Sequence, residues 1–313
     1  MSPQDQLAAQ FIPMLPDPSA PDTGVQEVAD WFNAHPGMEE KFGSCFRQAI
    51  DEVLDGQRTG RFDITSREVA STEKTYLGTK VEIIVRSAFG LPHGQRMDYQ
   101  VTGHDVDAKW TIYSNWTIPK EADGHICLLM KADDHRSTFS VGLLRIEDAY
   151  LNTGENRDSK RSVSAAGRAA TKWLVINGQL PRNALLALTP AEQAAVFSSR
   201  SGQARTNELF RRVHGQIVNR NTVLTVARQD DSPKRVRDAR KHLAKEGIII
   251  LGHQGRHPLA ARDLGLPVPR KGEWTAVRIT AVPETSSRRK TLLSGTYYAV
   301  ADAGESSPAP SSY

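Results

Sequence analysis

The sequence predicts two joined units, an α/β domain around a mixed sheet followed by a helix-rich domain that closes on a β-hairpin. Three observations predict it. Amphipathic helical spacing fills residues 25–56, short apolar runs bounded by polar turns lie at 125–133 and 138–146, and capped helical patterns return after residue 184. The charge divides at the same place. Residues 1–183 carry 20 Lys and Arg against 25 Asp and Glu, and residues 184–313 carry 20 against 11, so the overall +4 joins an acidic half to a basic one. A basic half of that size suits a polyanionic partner.

Composition excludes several classes. A hydrophobic share of 39% with 24% charged residues belongs to a globular chain with a core. No apolar run reaches the length of a membrane span, and no secretory signal opens the chain. Cys45 and Cys127, the only cysteines, make neither a disulfide framework nor a zinc site unaided. A cytoplasmic setting is expected.

The elements follow in order. Residues 1–21 form a flexible arm, because "PMLPDPSAPDTG" (13–24) is rich in proline. "VQEVADWFNAH" and "EKFGSCFRQAIDEVLDG" have helical spacing, the second ending on Gly56 as a C-cap. "TKVEIIVRSAFG" is read as a helix, and "MDYQV" with "VDAKW" as a hairpin. The runs 125–133 and 138–146 are buried central strands, and the polar, basic stretch 152–172 is a loop before "WLVI". Residues 22–174 thus form one domain, and 175–183 a linker.

The second unit, 184–303, opens with the capping box Thr189-Pro190-Ala191-Glu192 and an amphipathic helix at 205–219. Residues 221–251 read as helix-turn-helix. Val223, Val226 and Ala227 face inward, Asp230-Asp231 makes the turn, Ser232 caps the second helix, and Val236, Ala239 and Leu243 recur at helical spacing. Gly247 ends that helix before a strand, and "GEWTAVRITAV" (272–282) is its hairpin partner, which makes a winged helix with a long wing. His253 and His257 belong to the wing and lack the companions of a metal site. The last residues, 304–313, are expected to be disordered. Lys234, Arg235, Arg237, Arg240, Lys241 and Lys245 line the outer face of the second helix, which in this motif enters a major groove. Lys234 and Arg235, at its start, are placed for base edges, while Arg240, Lys241 and Lys245 suit phosphates.

Three stretches have the spacing acid-x-Lys: Glu40-Lys41 preceded by Glu39, Asp107-Ala108-Lys109, and Asp158-Ser159-Lys160. Only the second lies in an alternating pattern, with Val106, Ala108, Trp110 and Ile112 on one face and Asp107, Lys109 and Thr111 on the other. A turn at Gly103-His104, or over 102–105, sets Asp98 opposite Lys109 and diagonal to Asp107, with neighbouring Cβ atoms about 5 Å apart. His104 and Asp105 are then turn residues. Two carboxylates that close repel unless a cation joins them, and Mg²⁺ accepts few protein carboxylates while keeping waters. Glu82, on the preceding helix, is a third carboxylate, and Lys109 can orient or deprotonate a water. Taken alone, the hairpin fits a surface salt bridge equally well.

With these residues in place, a resemblance emerges. Asp98, eight intervening residues and Asp107-Ala108-Lys109 resemble the PD-(D/E)xK nuclease signature, with Met97 where the proline would stand. Glu82 is similar in place to the helix-borne glutamate of the blunt-cutting branch. With "TVARQDDSPKRVRDARKHLAKEGIIIL", the chain resembles the NaeI-type type IIE restriction endonucleases over nearly its whole length. The resemblance implies an α+β PD-(D/E)xK domain before a winged helix-turn-helix domain. It implies a Mg²⁺-dependent homodimer that cuts both strands of a GC-rich palindrome such as GCCGGC, activated by a second double-stranded DNA bound at the C-terminal domain. Arg157, Lys160, Arg161 and Arg168 would reach DNA from the catalytic unit. A rival expectation from the basic helix alone is a transcription regulator with a ligand-sensing N-terminal domain.

Overall fold

The computed structural model describes residues 22–310 and Tyr313. The arm expected over residues 1–21 lies outside them. Helix α1 (Thr23–Asn33) is capped by Asp22, whose Oδ1 accepts from Val25 N–H at 3.0 Å, and it turns Val25, Val28, Ala29 and Phe32 inward. Helix α2 (Met38–Leu54) buries Phe42, Phe46, Ala49 and Ile50. Its cap differs from expectation. Asp55, at φ 47°, takes the left-handed position, and Gly56 opens the short helix α3 (Gly56–Thr59). The segment read as a helix belongs to α4 (Ser71–Phe89), which buries Leu77, Val81, Val85 and Phe89.

The strands β1 (Tyr99–Val101), β2 (His104–Thr111), β3 (Thr117–Ile118), β4 (Ile126–Asp133) and β5 (Thr138–Arg145) follow. Then come β6 (Leu151–Glu155), β7 (Arg161–Val163), helix α5 (Ala165–Ala170) and β8 (Lys172–Gln179). The main sheet has the order β1-β2-β4-β5-β8, with β2 and β4 parallel and the other pairs antiparallel, so it is mixed as expected. One face packs on α1, α2 and α4 around Phe32, Phe46, Val106, Leu128 and Phe139, each fully buried large side chain contributing about 1.5–3 kcal/mol. The other face buries Trp116, Cys127, Leu129 and Leu144 beneath the small sheet β3-β7-β6.

Two expectations change here. Residues 152–172 are not a loop but the hairpin β6–β7 and α5. Nearly all of β6 is exposed, so no apolar alternation marks it in the sequence. Strand β8 runs to Gln179, into the segment expected as linker.

The second unit begins with α6 (Pro190–Phe197), where Thr189 and Glu192 form the predicted capping box. Helix α7 (Gly202–Arg212) stops before residue 219, and a short irregular stretch leads into β9 (Ile217–Asn219). Helix α8 (Arg220–Ala227) buries Val223, Val226 and Ala227. Helix α9 (Ser232–Ala244) buries Val236, Ala239 and Leu243, but its cap is Asp231, which accepts from Lys234 N–H at 3.0 Å, while Ser232 is buried. After Gly247 come β10 (Ile248–Leu251), α10 (His257–Asp263), β11 (Glu273–Ala281), β12 (Lys290–Leu293) and β13 (Thr296–Val300). Strands β10 and β11 pair antiparallel, and the long connection between them holds α10. The tail does not extend free: Ala309 N–H donates to Ala244 C=O at 2.8 Å, and the Tyr313 hydroxyl lies 2.7 Å from Ile250 N. Among the described residues, no helix is long and apolar enough to cross a membrane.

The units dock through α3 and α8. Asn221 donates to Asp51 at 3.0 Å, Asn183 donates to the Phe62 carbonyl at 2.8 Å, and Phe62 stacks on Phe197. Gly56 permits the approach, since a Cβ there would collide with Thr225 Oγ1 and stand 2.8 Å from the Arg61 carbonyl oxygen. Gly56→Ala is therefore expected to cost about 1–3 kcal/mol in urea unfolding. Adding Thr225→Ala should return part of that loss. An unchanged midpoint in the single variant would refute the close contact.

Candidate active site

The β1–β2 connection is a two-residue turn at Thr102 (φ 49°) and Gly103 (φ 87°), both left-handed as in a type I′ hairpin. Tyr99 pairs with Val106, Gln100 with Asp105 and Val101 with His104. The turn thus sits one residue earlier than expected, and the register carries Asp98 toward Asp107 rather than Lys109. A shift of the partner by two positions preserves the face, so Asp98, Asp107 and Lys109 still share one side. His104 and Asp105 correct the sequence reading more sharply, because both are strand residues. His104 Nε2 lies 2.9 Å from Glu27 Oε2, and Asp105 accepts from the N–H groups of Gln95 and Arg96.

Asp98 leaves the ladder, and its Oδ2 accepts the Ala108 N–H at 2.7 Å. Burial pushes its carboxyl up to about 7; the Ala108 N–H opposes this, while the neighbouring Asp107 and Glu82 carboxylates add to it. Asp107 is only 6% exposed, with Lys109 Nζ 2.7 Å from its Oδ2 and Cys127 Sγ 3.9 Å from the same atom. Parallel pairing of β2 with β4 sets Cys127 beside Asp107, and burial raises that thiol well above its usual range. Glu82, on α4, is raised by burial, lowered by Arg86 at 3.7 Å and raised again by Asp107. The Tyr99 hydroxyl donates to the Glu82 carbonyl at 2.9 Å and ties α4 to β1.

The structure therefore brings Glu82, Asp98, Asp107 and Lys109 into one electrostatic cluster. Among the described residues, no group of three or more His, Cys, Asp or Glu side chains forms a ready metal cage. The donor chemistry nonetheless fits a hard divalent cation. Two crowded carboxylate groups, one pushed up to about 7 by burial and then by its neighbours, are a pair that such an ion would relieve.

The basic candidates separate into two sets. On α9, Lys234, Arg237, Lys241 and Lys245 are exposed along one stripe and have no carboxylate partner among the described residues. Arg240 is half-buried, its Nε donating to the Ile250 carbonyl at 2.7 Å, and Arg235 is half-buried against Gln203. In the catalytic unit Arg157 is exposed beyond the end of β6, and Lys160 is half-buried beside β7. Arg161 is held by Asp148 at 2.5 Å and by the carbonyls of Asn152 and Leu151, and Arg168 donates to the Val163 carbonyl at 3.0 Å. Sequence reasoning missed Asp105 as a structural carboxylate. Its position two residues before Asp107 puts it on the same strand face, and that parity was the available signal.

Comparison with known proteins gives a family. A family model described as restriction endonuclease NaeI matches residues 26–308. The chain is similar to the type II restriction enzyme NaeI of Lentzea aerocolonigenes, 40% identical over 297 residues, which are 91% of this chain and 92% of that protein.

The raised Asp98 carboxyl has a consequence for stability. A carboxyl whose folded value exceeds its unfolded one stabilises fully below about pH 4, and that contribution is lost as pH rises through about 7. In EDTA, Asp98→Asn should therefore gain about 1–2 kcal/mol on the wild type between pH 5 and pH 8, after solvent screening of this partly exposed group. Urea unfolding at both pH values checks this, and an equal difference at the two would refute it.

Proposed function

The chain belongs to the restriction endonuclease NaeI family, and from that premise we propose that it is a Mg²⁺-dependent, sequence-specific double-stranded DNA endonuclease. The supporting observation is the Asp98–Asp107 carboxylate pair, with Lys109 Nζ 2.7 Å from Asp107. Asp98 and Asp107 would hold the cation, with Glu82 supporting. When bound, Mg²⁺ would polarise the scissile phosphate and ease attack by water. Lys109, fixed by its ion pair, orients the attacking water and offsets negative charge on the phosphorane-like transition state. The water oxygen bonds to phosphorus as the P–O3′ bond breaks, leaving a 5′-phosphate and a 3′-hydroxyl. The Ala108 N–H holds Asp98 in place, and Tyr99 holds α4 with Glu82 beside it.

We assign catalysis to the first unit, carried to the end of β8 at Gln179, and duplex binding to a winged helix formed by α8, α9 and the β10–β11 pair. Lys234, Arg237, Lys241 and Lys245 are its contact stripe. Arg157 and Lys160 are the catalytic unit's DNA-facing cations, while Arg161, Arg168 and Arg240 serve the fold. A homodimer places one centre on each strand of a palindrome, and a second duplex at the C-terminal unit acts as activator. The site proposed is GC-rich, of the GCCGGC kind. The transcription-regulator reading finds no support in the family match.

Plasmid digestion tests the reading directly. The wild type should cut with Mg²⁺ and not with EDTA, and Lys109→Ala should cut about 10²–10³-fold more slowly with DNA binding retained. Plasmid left intact at every Mg²⁺ concentration, even with an added oligonucleotide duplex, would overturn it. On the stripe, Lys241→Ala should weaken duplex binding uniformly across sequences and flatten the log K against log salt slope by about 1. An unaltered slope would remove Lys241 from the interface.

A further inference from the structure

We propose that Asp105 is the positioning residue that sets the Asp98 carboxylate against Asp107. The inference deepens the nuclease reading and rests on it for the role of Asp98. In the observed register, the residue opposite Ala108 is Met97, and a continuing ladder would send the Ala108 N–H to the Met97 carbonyl. The ladder instead ends at Tyr99, and Asp98 Oδ2 takes that N–H at 2.7 Å. A side-chain oxygen has replaced a backbone one, and this exchange brings Asp98 beside Asp107.

What turns the Met97 carbonyl away is the loop before it. The Asp105 carboxylate accepts two successive N–H groups, from Gln95 at 2.8 Å and from Arg96 at 3.2 Å. The Pro92 carbonyl accepts the Gln100 N–H at 3.0 Å and closes the loop onto β1. The loop is tight enough that a Cβ at Gly94 would collide with the Met97 carbonyl oxygen and stand 2.7 Å from both Asp105 Oδ1 and the Tyr99 carbonyl oxygen. Both Asp105 bonds are exposed, so water can take them over at little cost to folding. Losing them frees the Met97 carbonyl to recover Ala108 and displaces Asp98.

The experiment uses Asp105→Ala, Asp105→Asn and Gly94→Ala in the full chain. Two readouts are taken: single-turnover cleavage of a duplex with Mg²⁺, and hydrogen exchange of the Ala108 amide in metal-free, DNA-free protein. Asp105→Ala should slow cleavage about 10–100-fold, as misplacement by about 1 Å does, with KM for DNA within about twofold. Its Ala108 amide should change protection, Asp105→Asn should recover part of both effects through its remaining acceptor, and Gly94→Ala should reproduce them. The combined Asp105→Ala and Gly94→Ala chain should be no worse than the poorer single variant. Ala108 exchange identical to wild type in Asp105→Ala overturns the proposal, whatever the cleavage rate, because Asp105 would then act by another route. If the wild type cuts no DNA, the exchange arm still decides how Asp98 is positioned, so the two failures are distinct.

Discussion

Two carboxylates crowded on one strand face, Asp98 and Asp107, are the constraint on which the rest of this structure depends. Burial first, and the neighbouring Asp107 and Glu82 carboxylates after it, push the Asp98 carboxyl up to about 7. The fold bears it by local means. The Ala108 N–H donates to Asp98, and Lys109 neutralises Asp107 from the next position on the same face. A neutral or cation-bridged pair is the low-energy state.

The scaffold explains why the pair does not relax. Asp107 sits on β2, flanked by parallel pairing to β4 and by buried Cys127, so its backbone cannot retreat. Opposite-facing residues of the same strand, Val106, Ala108 and Trp110, pack under α2 and α4. A one-residue slip of β2 would expose those apolar groups and bury Asp98's partners in the helical layer, so hydrophobic packing fixes which face carries the charges. Asp98 alone has freedom, because the edge strand stops at Tyr99. Its placement therefore falls to hydrogen bonds rather than to packing.

This division accounts for what the sequence revealed and what it hid. Strand parity showed that Asp98, Asp107 and Lys109 share a face, since alternation is a strong signal where one side is apolar. Turn position was hidden: Thr102 at positive φ is a conformation that a Thr-Gly pair does not announce, and the register moved with it. The hairpin β6–β7 was missed because β6 buries almost nothing. Helix α9 was legible in its apolar repeat, yet its cap fell one residue early, as Asp231 and Ser232 are both good caps and burial of Ser232 decides between them. The tail reads as disordered by composition, and one terminal aromatic, Tyr313, anchors it through Ile250.

The excess charge of the basic half is not spread evenly, and the pairing shows where it acts. Arg211 is matched by Glu246 and Glu208, Arg212 by Glu208, and Arg288 by Glu305 and Asp302. Arg240 is turned onto a backbone carbonyl and Arg205 onto the carbonyls that end α8. Among the cations without such a partner, Lys234, Arg237, Lys241 and Lys245 form an exposed row along α9 and its C-cap, with Asp238 on the same face. Spaced by three and four residues, these cations share one face, Asp238 offsets part of their mutual repulsion, and a polyanion would relieve the rest. Like charges thus lie close in both units, carboxylates in the first, where hydrogen bonds place Asp98 and packing fixes Asp107, and cations in the second, where helical spacing aligns them.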